Sequence, residues 1–184
     1  MKNVKIVTKL IIAILLFNSC SDYHDLPEVI HEEELITTIT ITLNPESGGT
    51  KVTLQKQDLD GDGPDAPTFA VLGNLVPGVT YNGSIELLNE TESPAEDITE
   101  EVEKEDLDHQ FFYTIASDLD VVIDNANLDS KGNILGTEFK LIAGAASSGL
   151  LTVTLRHEPT KPNTGLVDAG GETDIEASFN VVVE

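Results

Sequence analysis

The 184-residue chain has one cysteine, no tryptophan, and only 10 Lys or Arg against 33 Asp or Glu. A single Cys excludes an intrachain disulfide and a Cys/His zinc cluster. Aromatic residues make up 5% of the sequence, so a core must be built mainly from Val, Ile and Leu. The formal charge of −23 repels nucleic acid and anionic lipid, which excludes binding to either by bulk electrostatics. It suits cations, cationic partners or plain solubility. Catalytic signatures are also missing: there is no Ser nucleophile motif, no Gly-rich phosphate loop and no HExxH. Carboxylates are too abundant for a glycosidase-type pair to carry information. The chain reads as a non-catalytic protein, with room for one domain once a targeting segment is set aside.

That segment is the N-terminus. Lys2, Lys5 and Lys9 precede an uninterrupted apolar run at 10–17, LIIAILLF, and then Asn18-Ser19-Cys20. A basic head, a short apolar stretch and small residues before the break describe a signal peptide over 1–19, too short for a comfortable membrane span. The lone Cys follows Leu16, Phe17 and Ser19 in a pattern that resembles the lipobox of bacterial lipoproteins, which implies lipidation at Cys20. Cleavage there would remove three Lys and no acid, taking the formal charge from −23 to −26. The acidic residues just after Cys20 resemble the export signal of surface-exposed lipoproteins. Residues 20–34 are polar and aperiodic and read as a tether; residues 35–184 form the domain.

Within the domain the dominant signal is alternation. Leu35, Thr37, Ile39, Ile41 and Leu43 share one face of a β-branched run, and Lys51–Gln55 returns after a turn cluster as the second arm of a hairpin. Leu151, Val153, Leu155 and His157 alternate in one strand; Ile175, Ala177, Phe179, Val181 and Val183 alternate in the last. Leu75-Val-Pro-Gly-Val-Thr-Tyr81 resembles the corner of fibronectin type III-like sandwiches, in which the tyrosine hydroxyl bonds a nearby backbone group. Eight or nine strands separated by turn signals predict an all-β protein, a single antiparallel immunoglobulin/fibronectin III-like sandwich. One insertion interrupts it. Ser93-Pro94-Ala95-Glu96 carries a capping-box pattern, which predicts a short acidic helix or ordered loop over about 94–107.

Two constellations suit cations. Asp58, Asp60 and Asp62 alternate in a glycine turn with Asp65 close by, an arrangement that suits Ca²⁺ and resembles known calcium loops. Phe69 stands where an EF-hand would have its bidentate Glu, and an acidic β-turn is the simpler alternative. The second constellation uses His109 and His157, at the start of one strand and the end of another. If those strands are antiparallel neighbours, both imidazoles meet at one rim. If the preceding helix runs on to His109, then Glu101, Glu105 and His109 stack at four-residue intervals. Two imidazoles with carboxylates suit Zn²⁺ or Cu²⁺. The alternative is that each His is a structural residue hydrogen-bonded to a local carboxylate.

The lipoprotein start, DLDGDGPDAP, NETESPAEDITEEVE, the His-Gln-Phe-Phe-Tyr strand, LTVTLRHEP and GGETDIEASFNVVVE together resemble one family. It is a group of small bacterial lipoproteins found beside TonB-dependent receptors and often labelled "type 1 periplasmic binding fold superfamily protein". The label implies an α/β solute-binding fold, which the strand pattern does not support, because alternating βαβ units are missing. The resemblance implies a lipoprotein of the outer membrane, on its periplasmic or cell-surface face, acting as a binding accessory that captures a metal or nutrient for such a receptor. A structural or adhesive surface module with a Ca²⁺-stabilised loop is the alternative.

Overall fold

The computed structural model describes residues 34–61 and 63–184. The predicted signal peptide, Cys20, nearly all of the predicted tether and Asp62 lie outside the described residues. Among those described, ten strands form two antiparallel sheets, an all-β sandwich as the alternation predicts.

The larger sheet is organised on β1 (Thr38–Pro45), which pairs on one side with β2 (Val52–Gln57) and on the other with β4 (Thr80–Asn89). With β3 (Thr68–Leu72), β7 (Val121–Asp124) and β8 (Glu138–Ala143) the order is β3-β2-β1-β4-β8-β7. The smaller sheet is β10 (Glu172–Val183), β9 (Ser147–His157) and β6 (His109–Ile115), in that order. The inward residues are those that alternation singles out: Ile39, Ile41 and Leu43 from β1 face Leu151, Val153 and Leu155 from β9, and all are fully buried. Burying each such side chain contributes roughly 1.5–3 kcal/mol. Tyr81 closes the corner, its hydroxyl accepting the Val76 N–H at 2.8 Å.

The acidic insertion differs from the capping-box expectation. Glu96–Asp97 forms a two-residue strand, β5, on the end of β4, so the helix cannot start at Pro94. It starts four residues later as α1 (Ile98–Lys104), with the Asp97 carboxylate accepting the Thr99 N–H at 3.0 Å. Ile98 and Val102 share its buried face and pack into the core. At the other end the Glu105 N–H closes on Glu101 O, and the chain turns before β6. The long loop after β9 carries a four-residue helix, α2 (Leu166–Ala169).

Candidate metal centre

Register alone brings the two domain histidines together. Strands β6 and β9 are antiparallel neighbours, and His109 lies directly opposite His157. Opposed side chains on one face of an antiparallel pair have Cβ atoms about 4.5–5.5 Å apart. Here the imidazoles stack with centroids 4.9 Å apart and planes 9° from parallel. Both lie inside the rim, His109 at 0% exposure and His157 at 7%.

Two carboxylates arrive from other directions. Asp174 is the extra residue in a register shift between Thr173 and Ile175, where β10 pairs with β9. Such a bulge re-aims a side chain: Asp174 is 1% exposed at the side chain and its Oδ2 lies 3.9 Å from His109 Nε2. Glu34 comes from the chain just before β1, and its Oε1 lies 3.5 Å from the same nitrogen. Gly171 makes room for this crossing. It has φ +70°, and a Cβ there would sit 2.2 Å from the His157 carbonyl oxygen.

The two nitrogens of His109 have different surroundings. Nδ1 is 3.1 Å from the Glu105 carbonyl, which can only accept, so Nδ1 carries a proton. Nε2 then faces the carboxylates, and neither it nor Glu34 Oε2 has a hydrogen-bond partner among the described residues, although both are buried. The 3.5 Å contact is longer than the roughly 2.7–3.2 Å of a good N–H···O bond. It is close enough to couple the charges. Burial, the largest single influence on His109, pushes its pKa down, but the Glu34 carboxylate, the Glu105 carbonyl and Asp174 together outweigh it and the net shift is upward. The His109 imidazole in turn holds the Glu34 carboxyl below its ordinary range, against the effect of burial. The His109 backbone is pinned as well: the Lys161 ammonium bonds its carbonyl, the Asp106 carbonyl at 2.7 Å and Asp129 Oδ2 at 3.1 Å.

The pairing of His109 with His157 is therefore where the sequence puts it, but the carboxylates are different ones. Helix α1 ends at Lys104, so Glu101, Glu105 and His109 do not form a helical stack. Glu105 gives its backbone carbonyl to the site in place of its carboxylate. Glu101 stays near enough to Glu34 for that charge to raise its pKa, after burial as the larger cause. The donor atoms of Glu34, His109 and His157 all lie within 4.8 Å of one another, and they are the one such group of three among the described residues. The aspartate loop gathers no comparable trio there. Asp60 Oδ2 turns back to accept the Asp65 N–H at 3.1 Å. Asp58, Asp60 and Asp65 wall a small cleft of about 260 Å³, and Asp58 Oδ1 is buried without a hydrogen-bond partner among the described residues. Glu34, the last residue of the predicted tether, and Asp174 are the rim carboxylates that the sequence did not single out.

Comparison of the chain with family models, with curated proteins and with solved structures gives no match in any of the three.

Proposed function

We propose that this chain is a lipid-anchored outer-membrane or cell-surface lipoprotein and a non-catalytic binding accessory. In this reading its sandwich holds one divalent transition-metal ion, Zn²⁺ or Cu²⁺, between Glu34, His109 and His157. Delivery to a TonB-dependent receptor remains part of this proposal and rests on the family resemblance. The observation that carries the metal site is the state of His109. It is fully buried, its Nδ1 is committed to a backbone carbonyl, and its Nε2 has no hydrogen-bond partner beside a carboxylate. A metal-ligating His is oriented in this way, donating its other N–H to a carbonyl so that the remaining lone pair faces the ion.

The spacing supports the same reading. Ligands about 2.0–2.1 Å from a tetrahedral ion stand ~3.3 Å from one another. The Glu34–His109 contact of 3.5 Å is already close to that; coordination by all three requires the 4.8 Å span to close and the stacked rings to tilt toward one ion. Imidazole and carboxylate are donors suited to Zn²⁺ and Cu²⁺. The metal competes with the proton that Glu34 helps to hold on Nε2, so binding releases a proton and weakens as pH falls through the raised His109 pKa.

Titration calorimetry of the purified chain after chelation tests the proposal. One Zn²⁺ or Cu²⁺ should bind per chain, with proton release, and His109→Ala/His157→Ala should abolish it. Unchanged binding in that folded double variant would overturn the site, and a melting point raised by Ca²⁺ alone would favour a structural module.

A further inference from the structure

A buried ion needs a way in. The side chain of His109 is 0% exposed and that of Asp174 1%, whereas Glu34 reaches 10%. Glu34 and Asp174 also form part of the wall of a cleft of about 510 Å³ between the start of β1, the end of β2 and the bulged start of β10. Asp58 lines the same cleft, and it also lines the smaller cleft of the aspartate loop with Asp60 and Asp65. Asp58 is thus the carboxylate common to the cleft of the aspartate loop and the cleft that Glu34 and Asp174 line beside His109. Acidity alone would mean little in this chain. Glu34 supplies an independent observation: its side chain is nine-tenths buried, it lines the cleft, and its Oε2 has no hydrogen-bond partner among the described residues. Asp58, whose Oδ1 is also buried with no hydrogen-bond partner among the described residues, lines the same cleft.

We propose that this cleft is the route by which the metal ion reaches the centre, and that Asp58 is the positioning residue that takes the ion from solvent and hands it to Glu34. This rests on the metal-site reading above. An ion leaving water must exchange its hydration shell for protein oxygens in steps, because a bare dication in a partly desolvated cleft is very costly. A carboxylate midway lowers the barrier for entry and exit alike without being a ligand in the final state. Lys56, the cation in the cleft wall, is held aside by its 3.1 Å bond to the Glu176 carbonyl.

Stopped-flow mixing of the full chain with Zn²⁺, followed by release to excess chelator, reads both rates. In Asp58→Asn both association and release should slow by about tenfold while equilibrium affinity changes by less than about threefold. Loss of a charge that only steers ions would slow association about two- to threefold and leave release unchanged. Asp58→Glu, which keeps the carboxylate, should restore both rates and guards against a variant that misfolds. Wild-type rates in Asp58→Asn, or slowed association with unchanged release, would overturn the hand-over role and leave the metal site standing. A wild-type chain that binds no Zn²⁺ or Cu²⁺ would overturn both.

Discussion

Replacing Glu34 by Gln in the chelated protein examines the centre through its own charges. The two partners are 10% and 0% exposed at the side chain, so solvent screening is weak. His109 has its pKa raised above 6.5, and Glu34 has its pKa lowered below 4.5. The signs follow by linkage. The folded protein holds the His109 proton more tightly than the unfolded chain does. That contribution is fully present below about pH 6.5 and is lost as pH rises through the folded value. Glu34 behaves in the opposite sense: its contribution is present above about pH 4.5 and is lost as pH falls through its lowered value. The pair therefore stabilises most between about pH 4.5 and 6.5.

Removing one member of a buried ion pair costs roughly 3–5 kcal/mol. Gln keeps the shape and an acceptor oxygen, and Asp174 remains 3.9 Å from Nε2 as a counter-charge. Those two compensations bring the expected loss to about 2–3 kcal/mol near pH 5.5, and the loss shrinks as rising pH carries His109 through its raised pKa. Urea unfolding followed by circular dichroism reads this directly. With a slope of about 2 kcal/mol/M, the midpoint should drop by about 1–1.5 M near pH 5.5 and by less near pH 9. Equal midpoint shifts at the two pH values, or no shift at the lower one, would refute the coupling of Glu34 to His109.

Gly171→Ala places a Cβ 2.2 Å from the His157 carbonyl oxygen at a φ of +70°, so it should cost about 2–4 kcal/mol, seen as a melting point lower by roughly 6–12 °C. Asp129 is buried beneath the loop after β9; burial opposes its ionisation, but the N–H groups of Asn133 and Lys131 and the Lys161 ammonium outweigh it and bring its pKa down to about 2. Its stabilising contribution is present above about pH 4 and lost as pH falls toward 2, so Asp129→Asn should flatten the acid limb of a urea-midpoint profile; a limb as steep as in wild type would count against this.

The strands were legible because burial on one face imposes period two. Ile39, Ile41 and Leu43, and Ile175, Ala177, Phe179, Val181 and Val183, are buried in the phase their alternation predicts. The meeting of His109 and His157 was legible for the same reason, since a strand start and a strand end share a rim when the strands are antiparallel neighbours. The carboxylates were not. Alternation through TDIEASF sets Asp174 on the face opposite Ile175, and only the bulge moves it beside His109. Nothing in the residues around Thr173 announces that bulge. Glu34 lies before the first periodic segment, so no pattern connects it with a histidine far along the chain. The stack of Glu101, Glu105 and His109 does not form because the helix ends at Lys104 and the chain turns at Glu105–Asp108 before β6, a stop that the acidic run does not signal.

In a chain with 33 acids, the identity of a functional carboxylate cannot come from its abundance; it has to come from what surrounds it. Most acids here face water, where an unpaired charge costs little. Glu34 and Asp174 do not, and a desolvated site is stable only when its charges nearly cancel. Counting the four side chains at the rim with neutral imidazoles, the carboxylates bring two negative charges. A proton on His109 offsets one of them. The proposed divalent ion offsets both and gives Nε2 and the Glu34 oxygens an electrophile, where they otherwise lie 3.5 Å apart. By the same count a monovalent ion would leave the site charged, and a trivalent ion would over-neutralise it. In the proposed site the charge of the rim thus suits a dication, and its imidazole donors suit a transition metal among dications.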